Sequence, residues 1–456
     1  MNKRASPISC TRRLQHRPRS QQGAAALVVV MLLFFLMSLA AAYTSRNLIF
    51  DQRTTTNQYR STQAFEAAEA GIEWALSQIN SGRVNGTCEA STSSADLSFQ
   101  QRYLSVDTGS GAVSPVVATT GSVNPRCVLD TTNANAANWR WDCHCPTAAV
   151  TGTALVAPTS SFAPAFVLEL AQAGARPDLV FLRSYSCTRL ANSCMDFSLP
   201  DRGAAGDGVA AVQVTLALRG AITRLPTAPV TVMGPNFSLA AGAIVTASNT
   251  DAASNGVTVH ASGASLPASG MNLTGLPGVA GPGTTVTGDG TLSPGAVASY
   301  SQAQRKFVHF FGVTPGTYQG QPGLPQLDCS AGCNAALINA ALAQNPKRPL
   351  WLAGAGGTVT LDADIGTTTP ALLIVEGDIV FNSGVVFNGL IHGRKATWSW
   401  SVSGTPVVNG AVISEGSLAL SGAGSNLTVN YNPAVLRELR VSQGLFVRVP
   451  GSWKDF

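Results

Sequence analysis

The chain has 456 residues, a formal net charge of +5 and only 12% charged residues. Six of its 29 Lys and Arg (Lys3, Arg4, Arg12, Arg13, Arg17, Arg19) precede residue 20 with no Asp or Glu among them, which leaves 23 against 24 acidic residues in the remainder. That near-neutral remainder lacks the basic footprint of a nucleic-acid binder, and 45 Gly among abundant Ser, Thr and Asn read as exported β-structure rather than as a charged cytosolic enzyme.

Residues 1–23 form a basic leader, and no charge occurs between Arg19 and Arg46. The apolar run from Ala24 to Tyr43, at about 1.5 Å per residue, matches the roughly 30 Å hydrocarbon core of a bilayer. The unopposed basic leader holds its side in the cytoplasm, so the expectation is one inner-membrane span with a periplasmic body. Ala40-Ala41-Ala42 also satisfies the small-residue rule of a cleaved signal peptide. The apolar run is, however, longer than the 7 to 15 residues usual there, and no Gly or Pro separates it from the residues after Tyr43.

The helical pattern continues. No proline lies between Pro18 and Pro115, and no glycine between Gly23 and Gly71. Phe65, Ala68, Ile72, Ala75, Leu76 and Ile79 recur at the three-four spacing of a helix with one buried stripe, and Asn80-Ser81-Gly82 supplies a stop. Residues 24–82 therefore read as one transmembrane-then-amphipathic helix whose C-terminal half packs into a head.

Residues 83–229 carry short apolar bursts at 113–120, 165–170, 179–185 and 209–218, whose length and β-branched content favour strands. The expected arrangement is a β-rich head packed on the amphipathic half of the helix. Beyond Cys10 in the leader, Cys88, Cys127, Cys143, Cys145, Cys187, Cys194, Cys329 and Cys333 form an even set in an oxidising compartment. Cys187/Cys194 and Cys329/Cys333 are placed to close local loops, and the other four pair among themselves in an order that spacing leaves open. Cys143-His144-Cys145 offers zinc-type ligands, but no second Cys/His pair is present after it, so disulfides are the reading and no metal is expected. Trp139 and Trp141 flank Arg140 near these cysteines, either as a ligand-stacking patch or as a cap on a stapled core.

From Pro229 onward, apolar triplets alternate with Gly and Asn, as in Val385 to Gly393 and Val407 to Ser421. This texture predicts a parallel β-solenoid-like domain in two segments, 230–290 and 349–456, and a β-sandwich with hairpins fits the same pattern. Between them, 291–348 reads as a helical insertion with helices over 296–311 and 335–344, after a Pro/Gly linker at 276–283. Asn432-Pro433 begins a short terminal helix. The fold class is thus mainly β with α.

No catalytic constellation emerges. The histidines are scattered, G-x-S-x-G and phosphate-loop patterns are absent, and Asp362 with Asp364 reads as a solvated strand edge rather than a carbohydrate-cleaving pair. Asp201 to Asp207 lacks the alternating oxygen ligands of a calcium loop. Neither enzymatic activity nor a cofactor is expected.

The stretches Gln21 to Val30 and Thr62 to Ile72 resemble the minor pilins of type IV pili, specifically the PilX-type family, and Thr62 to Ile72 is similar to that family's A-F-x-A-A-E-A segment. The resemblance covers about the first eighty residues. It implies cleavage by prepilin peptidase between Gly23 and Ala24, N-methylation of Ala24, and extraction of the helix into a pilus. Its implied partners are other minor pilins and the major pilin, the inner-membrane assembly platform and a tip adhesin.

Val28 stands where most pilins carry a glutamate at the fifth mature position. In that respect the chain is similar to the K-type minor pseudopilin of type II secretion, which implies a subunit that starts or tips the fibre. The competing function is a membrane-anchored β-helical binding module or carbohydrate-active enzyme that uses the helix as a tether.

Overall fold

The computed structural model describes residues 22–116, 123–150, 152–159, 162–174, 176–195 and 208–455. The leader up to residue 21, the end of the 113–120 burst and the Asp201–Asp207 loop lie outside the described residues.

An apolar then amphipathic sequence with no internal helix breaker forms one helix, Gln22–Ile79. The chain divides into two compact units at Tyr59/Arg60, within this helix. In the first unit every described side chain from Ala25 to Tyr59 is exposed, Phe34 at 73% among them. Hydroxyls there bond back onto the helix, Thr44 Oγ1 to Ala40 O at 2.7 Å and Thr56 Oγ1 to Gln52 O at 2.7 Å. The apolar surface runs to Tyr43, and exposed Arg46, Asp51 and Arg53 follow it. Among the described residues this is the one helix long and apolar enough to cross a membrane.

In the second unit the helix buries Ala64, Ala68, Ile72, Ala75 and Ile79 along one stripe. Of the expected packing residues, Ala68, Ile72 and Ile79 lie in the core. Phe65 and Leu76 flank it, half-buried. Opposite them is an antiparallel sheet in the order Gly444–Arg448, Val209–Gly220, Leu179–Cys187, Ala165–Gln172, Arg126–Asp130, Arg140–His144. Phe166, Leu168, Leu182, Val212, Val214, Leu216 and Phe446 fill the interface, each large side chain contributing roughly 1.5–3 kcal/mol.

Among the described residues, four disulfides join Cys88–Cys145, Cys127–Cys143, Cys187–Cys194 and Cys329–Cys333. The two local loops close as expected, and the remaining four cysteines pair within the head.

From Val230 to Tyr431 the named strands stack in two sheets in which every pairing is parallel. The end of the expected 349–456 segment departs from this: Gly444–Arg448 and Lys454–Asp455 pair antiparallel with Val209–Gly220 and so complete the head sheet. One sheet runs Cys333–Asn334, Thr358–Leu361, Asp378–Phe381, Thr397–Val402, Ser417–Ser421, Phe237–Leu239. The other holds 11 strands, and its order departs from that of the sequence. Val230–Val232 pairs with Val407–Ser414, and Ile244–Ser248 with Asn426–Tyr431. The chain therefore enters the stack in its middle, winds outward to Thr285–Val286, returns to the far end at Gln326–Asp328, and winds back.

Strands Val386–Gly393 and Val407–Ser414 turn a corner at Gly389 and Gly410, which face one another in register. Beside that corner Asn409 Nδ2 donates to Asn388 Oδ1 at 2.9 Å and Asn430 Nδ2 to Asn409 Oδ1 at 3.1 Å, a ladder that stitches three rungs. Inside, Phe381, Phe387, Trp398 and Trp400 fill a dry core.

Three expectations are corrected here. The 276–283 stretch is not a linker: it leads through the 3-10 turn Gly281–Thr284 into Thr285–Val286, which pairs with Val259–His260. The first insertion helix starts at Gln302, capped by Ser301, rather than at residue 296. The helical insertion also contributes the strands Gln326–Asp328 and Cys333–Asn334 to the stack. Helices Gln302–Phe311, Pro315–Gln319 and Pro433–Val441 cover the outer face through Phe307, Phe310, Phe311, Tyr318, Leu436 and Leu439, while Ile338 of helix Ala335–Gln344 enters the inner core.

Candidate functional site

The residues that bear on function begin at the N-terminal end of the long helix. Gly23 and Ala24 lie in its first turn, and the next acidic residue along the chain is Asp51. Val28 is 59% exposed, one of an unbroken apolar series to Leu36. A helix apolar on all sides has no stable state in water and requires lipid or other apolar helices around it.

The amphipathic half is built for close approach. Ala64, Ala67 and Ala68 are buried, while Glu66, Glu69 and Glu73 face outward. Small side chains let the sheet come close enough for Ser186 Oγ to donate to the helix carbonyl of Ala64. Glu73 Oε1 meets Arg448 Nη1 at 3.1 Å, an exposed pair of little energetic weight.

The helix end is held by Asn80, the first residue of the expected stop, and by Arg348, which the sequence pattern did not single out. Asn80 brackets the strand Gly444–Arg448: its Oδ1 accepts from Phe446 N at 2.9 Å and its Nδ2 donates to Phe446 O at 2.9 Å. Arg348, buried and without a carboxylate partner among the described residues, donates to Ile79 O at 2.7 Å and to Gly444 O. Burial pushes its pKa down to about 10. Its positive charge sits against the negative end of the helix dipole, which offsets part of the desolvation cost. Only the Pro-Lys-Arg-Pro run around it sets Arg348 apart in the sequence, and a run of that kind carries no tertiary information.

The candidate chemistry resolves into structural roles. Cys143 and Cys145 are both oxidised, which removes the zinc reading, and among the described residues no group of three or more His, Cys, Asp or Glu is placed to hold a metal. Asp362 Oδ1 accepts from Ala335 N at 3.0 Å and Asp364 Oδ1 from Val386 N at 2.8 Å, so both carboxylates cap backbone. His392 is fully buried, its Nε2 2.9 Å from Glu415 Oε1, under Phe307, Phe310 and Phe311. Lys306 Nζ donates to Glu415 O at 2.6 Å and ties the covering helix to the stack; burial lowers its pKa, opposed by Glu415. Trp141 packs on Phe166, whereas Trp139 is exposed and donates Nε1–H to Asn133 O at 2.9 Å.

Residues 22–73 match the model described as PilX N-terminal. The competence-associated pilin ComZ from Thermus thermophilus is 13% identical over 87% of this chain and 98% of that chain, at a TM-score of 0.20, too low to relate the two bodies. No curated protein matches the chain.

Proposed function

We propose that this chain, whose residues 22–73 are a PilX N-terminal segment, is a minor pilin of a type IV pilus that primes or tips the fibre. The observation that carries this reading is the coincidence of that segment with a helix apolar on all sides from Ala25 to Tyr43 and stripe-buried from Ala64 to Ile79. Prepilin peptidase cuts between Gly23 and Ala24, Ala24 is N-methylated, and the assembly platform lifts the helix from the inner membrane into a bundle of sister helices. The periplasmic body then becomes extracellular. Other minor pilins and the major pilin contact the helix, and a tip adhesin is a further partner.

Val28 sets the position. A glutamate there neutralises the N-terminal amine of the preceding subunit, which would otherwise carry charge into an apolar bundle. A first subunit meets no such amine. Residues 230–431 are the finer part of the reading: the stacked parallel strands form a β-solenoid that serves as a rigid display platform.

Mass spectrometry of the mature protein tests the processing step, with methylated Ala24 as the expected N-terminus. Retained Met1 would instead favour a tethered β-helical binding module or carbohydrate-active enzyme, the reading that the stacked strands also accommodate, and a start at Tyr43 would remove the anchor and with it the pilin reading. Val28→Glu tests the placement: fibre initiation drops, and fibres formed as well as or better than with the native residue would refute a first-subunit role.

A further inference from the structure

Trp74 of the long helix and Trp141 of strand Arg140–His144 wall a cleft of about 640 Å3 in the head, with Gln78, Thr87, Glu89 and Asp142 as its polar lining. Both indoles lean on Phe166, at 5.7 and 4.7 Å between ring centroids, so they are held as a fixed pair. Each is half-buried, and neither indole N–H has a hydrogen-bond partner among the described residues.

The rim is fixed as well. Cys88 and Cys143 line the cleft and are tied to Cys145 and Cys127. The turn carrying Thr87 and Glu89 is closed by Asn85 Oδ1, which accepts from Thr87 N at 3.0 Å and Glu89 N at 2.9 Å. Cys88 sits at φ +64°, a conformation that costs a non-glycine residue about 1–2 kcal/mol and persists where surrounding structure imposes it.

We infer that this cleft binds an uncharged saccharide. A pyranose presents an apolar C–H face, which packs on an indole, and a ring of hydroxyls, which need acceptors and donors at its edge. Glu89 and Asp142 supply acceptors, Gln78 and Thr87 supply both, and the indole N–H groups supply donors. The lining contains two carboxylates and no Lys, Arg or His; Arg140 outside it pairs with Asp142 at 3.4 Å, an exposed contact that leaves Glu89 to disfavour acidic sugars and phosphorylated ligands. The volume lies within the roughly 300–1,000 Å3 typical of ligand clefts. This inference concerns the head alone and stands whether or not the helix enters a fibre.

The test uses full-length protein in a zwitterionic detergent free of sugar head groups, titrated with chitotriose, cellotriose and maltotriose and followed by tryptophan fluorescence. Sialyllactose and choline chloride are the acidic and cationic comparators. A saturable response to at least one neutral trisaccharide is expected. Trp141→Ala weakens it about tenfold, while Trp139→Ala, outside the cleft, leaves it unchanged. Because Trp141 also touches the core, the exposed pair Glu89→Gln/Asp142→Asn provides an independent arm and weakens binding by about tenfold. The inference is overturned by no saturable response to any of the trisaccharides, by a response that both variants retain, or by stronger binding of choline or sialyllactose.

Discussion

Replacing Gly389 by alanine is expected to disrupt the parallel stack far more than the same change at Gly384, a few residues earlier in the same rung. Gly389 sits at φ +145°, and a Cβ placed there would lie 1.8 Å from Ala371 O in the adjacent rung. Real Cβ atoms do not approach a carbonyl so closely, so the two rungs must part by more than an ångström or the corner must unfold. Parting them also breaks the register to Gly410 and strains the Asn388–Asn409–Asn430 ladder. A clash of this kind in the middle of a stack belongs among the exceptional substitutions, about 4 kcal/mol or more.

Gly384 is at φ +76° with no atom within 4 Å of its would-be Cβ. Gly384→Ala therefore carries only the backbone cost, about 1–2 kcal/mol. Urea unfolding of both full-length variants, followed by near-ultraviolet circular dichroism of the buried Trp351, Trp398 and Trp400, provides the comparison. Equal midpoint shifts, or a Gly389→Ala shift no larger than that of Gly384→Ala, would refute the close approach of the rungs.

Further outcomes concern the head and the helix Gln302–Phe311. Removing the Cys88–Cys145 bridge with paired serines should cost about 4 kcal/mol and removing Cys127–Cys143 about 3, since they close loops of 57 and 16 residues; denaturant midpoints that invert this order contradict the pairing. Ile72→Ala should cost about 3 kcal/mol and Leu76→Ala about 1, because only the former is fully buried in the helix–sheet core; comparable losses on thermal or urea unfolding would contradict the stripe. His144 is held below the ordinary histidine range by burial and by the Arg126 charge, and His309 by burial and then chiefly the Arg224 charge. The unfolded chain then takes up protons first as pH falls through about 6.5, so stability is full above that value and declines toward the folded-state pKa values. A His144→Gln/His309→Gln variant should keep more of its pH 7 urea midpoint at pH 5 than the native protein; an unchanged slope would exclude these residues as the source.

The long helix was legible because its signals are local: a gap in charge, a three-four stripe and a stop at Asn80-Ser81-Gly82. The apolar triplets ending in Gly or Asn likewise announced strands and corners, Asn388-Gly389 and Asn409-Gly410 above all. Partnership stayed hidden. Nothing near Val230 indicates that its neighbour is Val412, and Gly-Pro composition at 276–283 fits a rung turn as well as a linker. The pairing of Cys88, Cys127, Cys143 and Cys145 depends on which strands are adjacent, and so does the joining of Trp74 and Trp141 into one cleft. Arg348 escaped notice for the same reason: its carbonyl partners come from the helix end and from Gly444, far away in sequence.

The interleaved order of the stacked strands constrains how the body folds as it is made. Synthesis from the N-terminus delivers Val230–Val232 and Ile244–Ser248 well before their partners Val407–Ser414 and Asn426–Tyr431. Those early strands carry an unsatisfied edge until residues 407–431 have been made. Closure is thus a terminal event, and a product cut short before residue 407 would expose an open, adhesive edge instead of a shortened but sound domain.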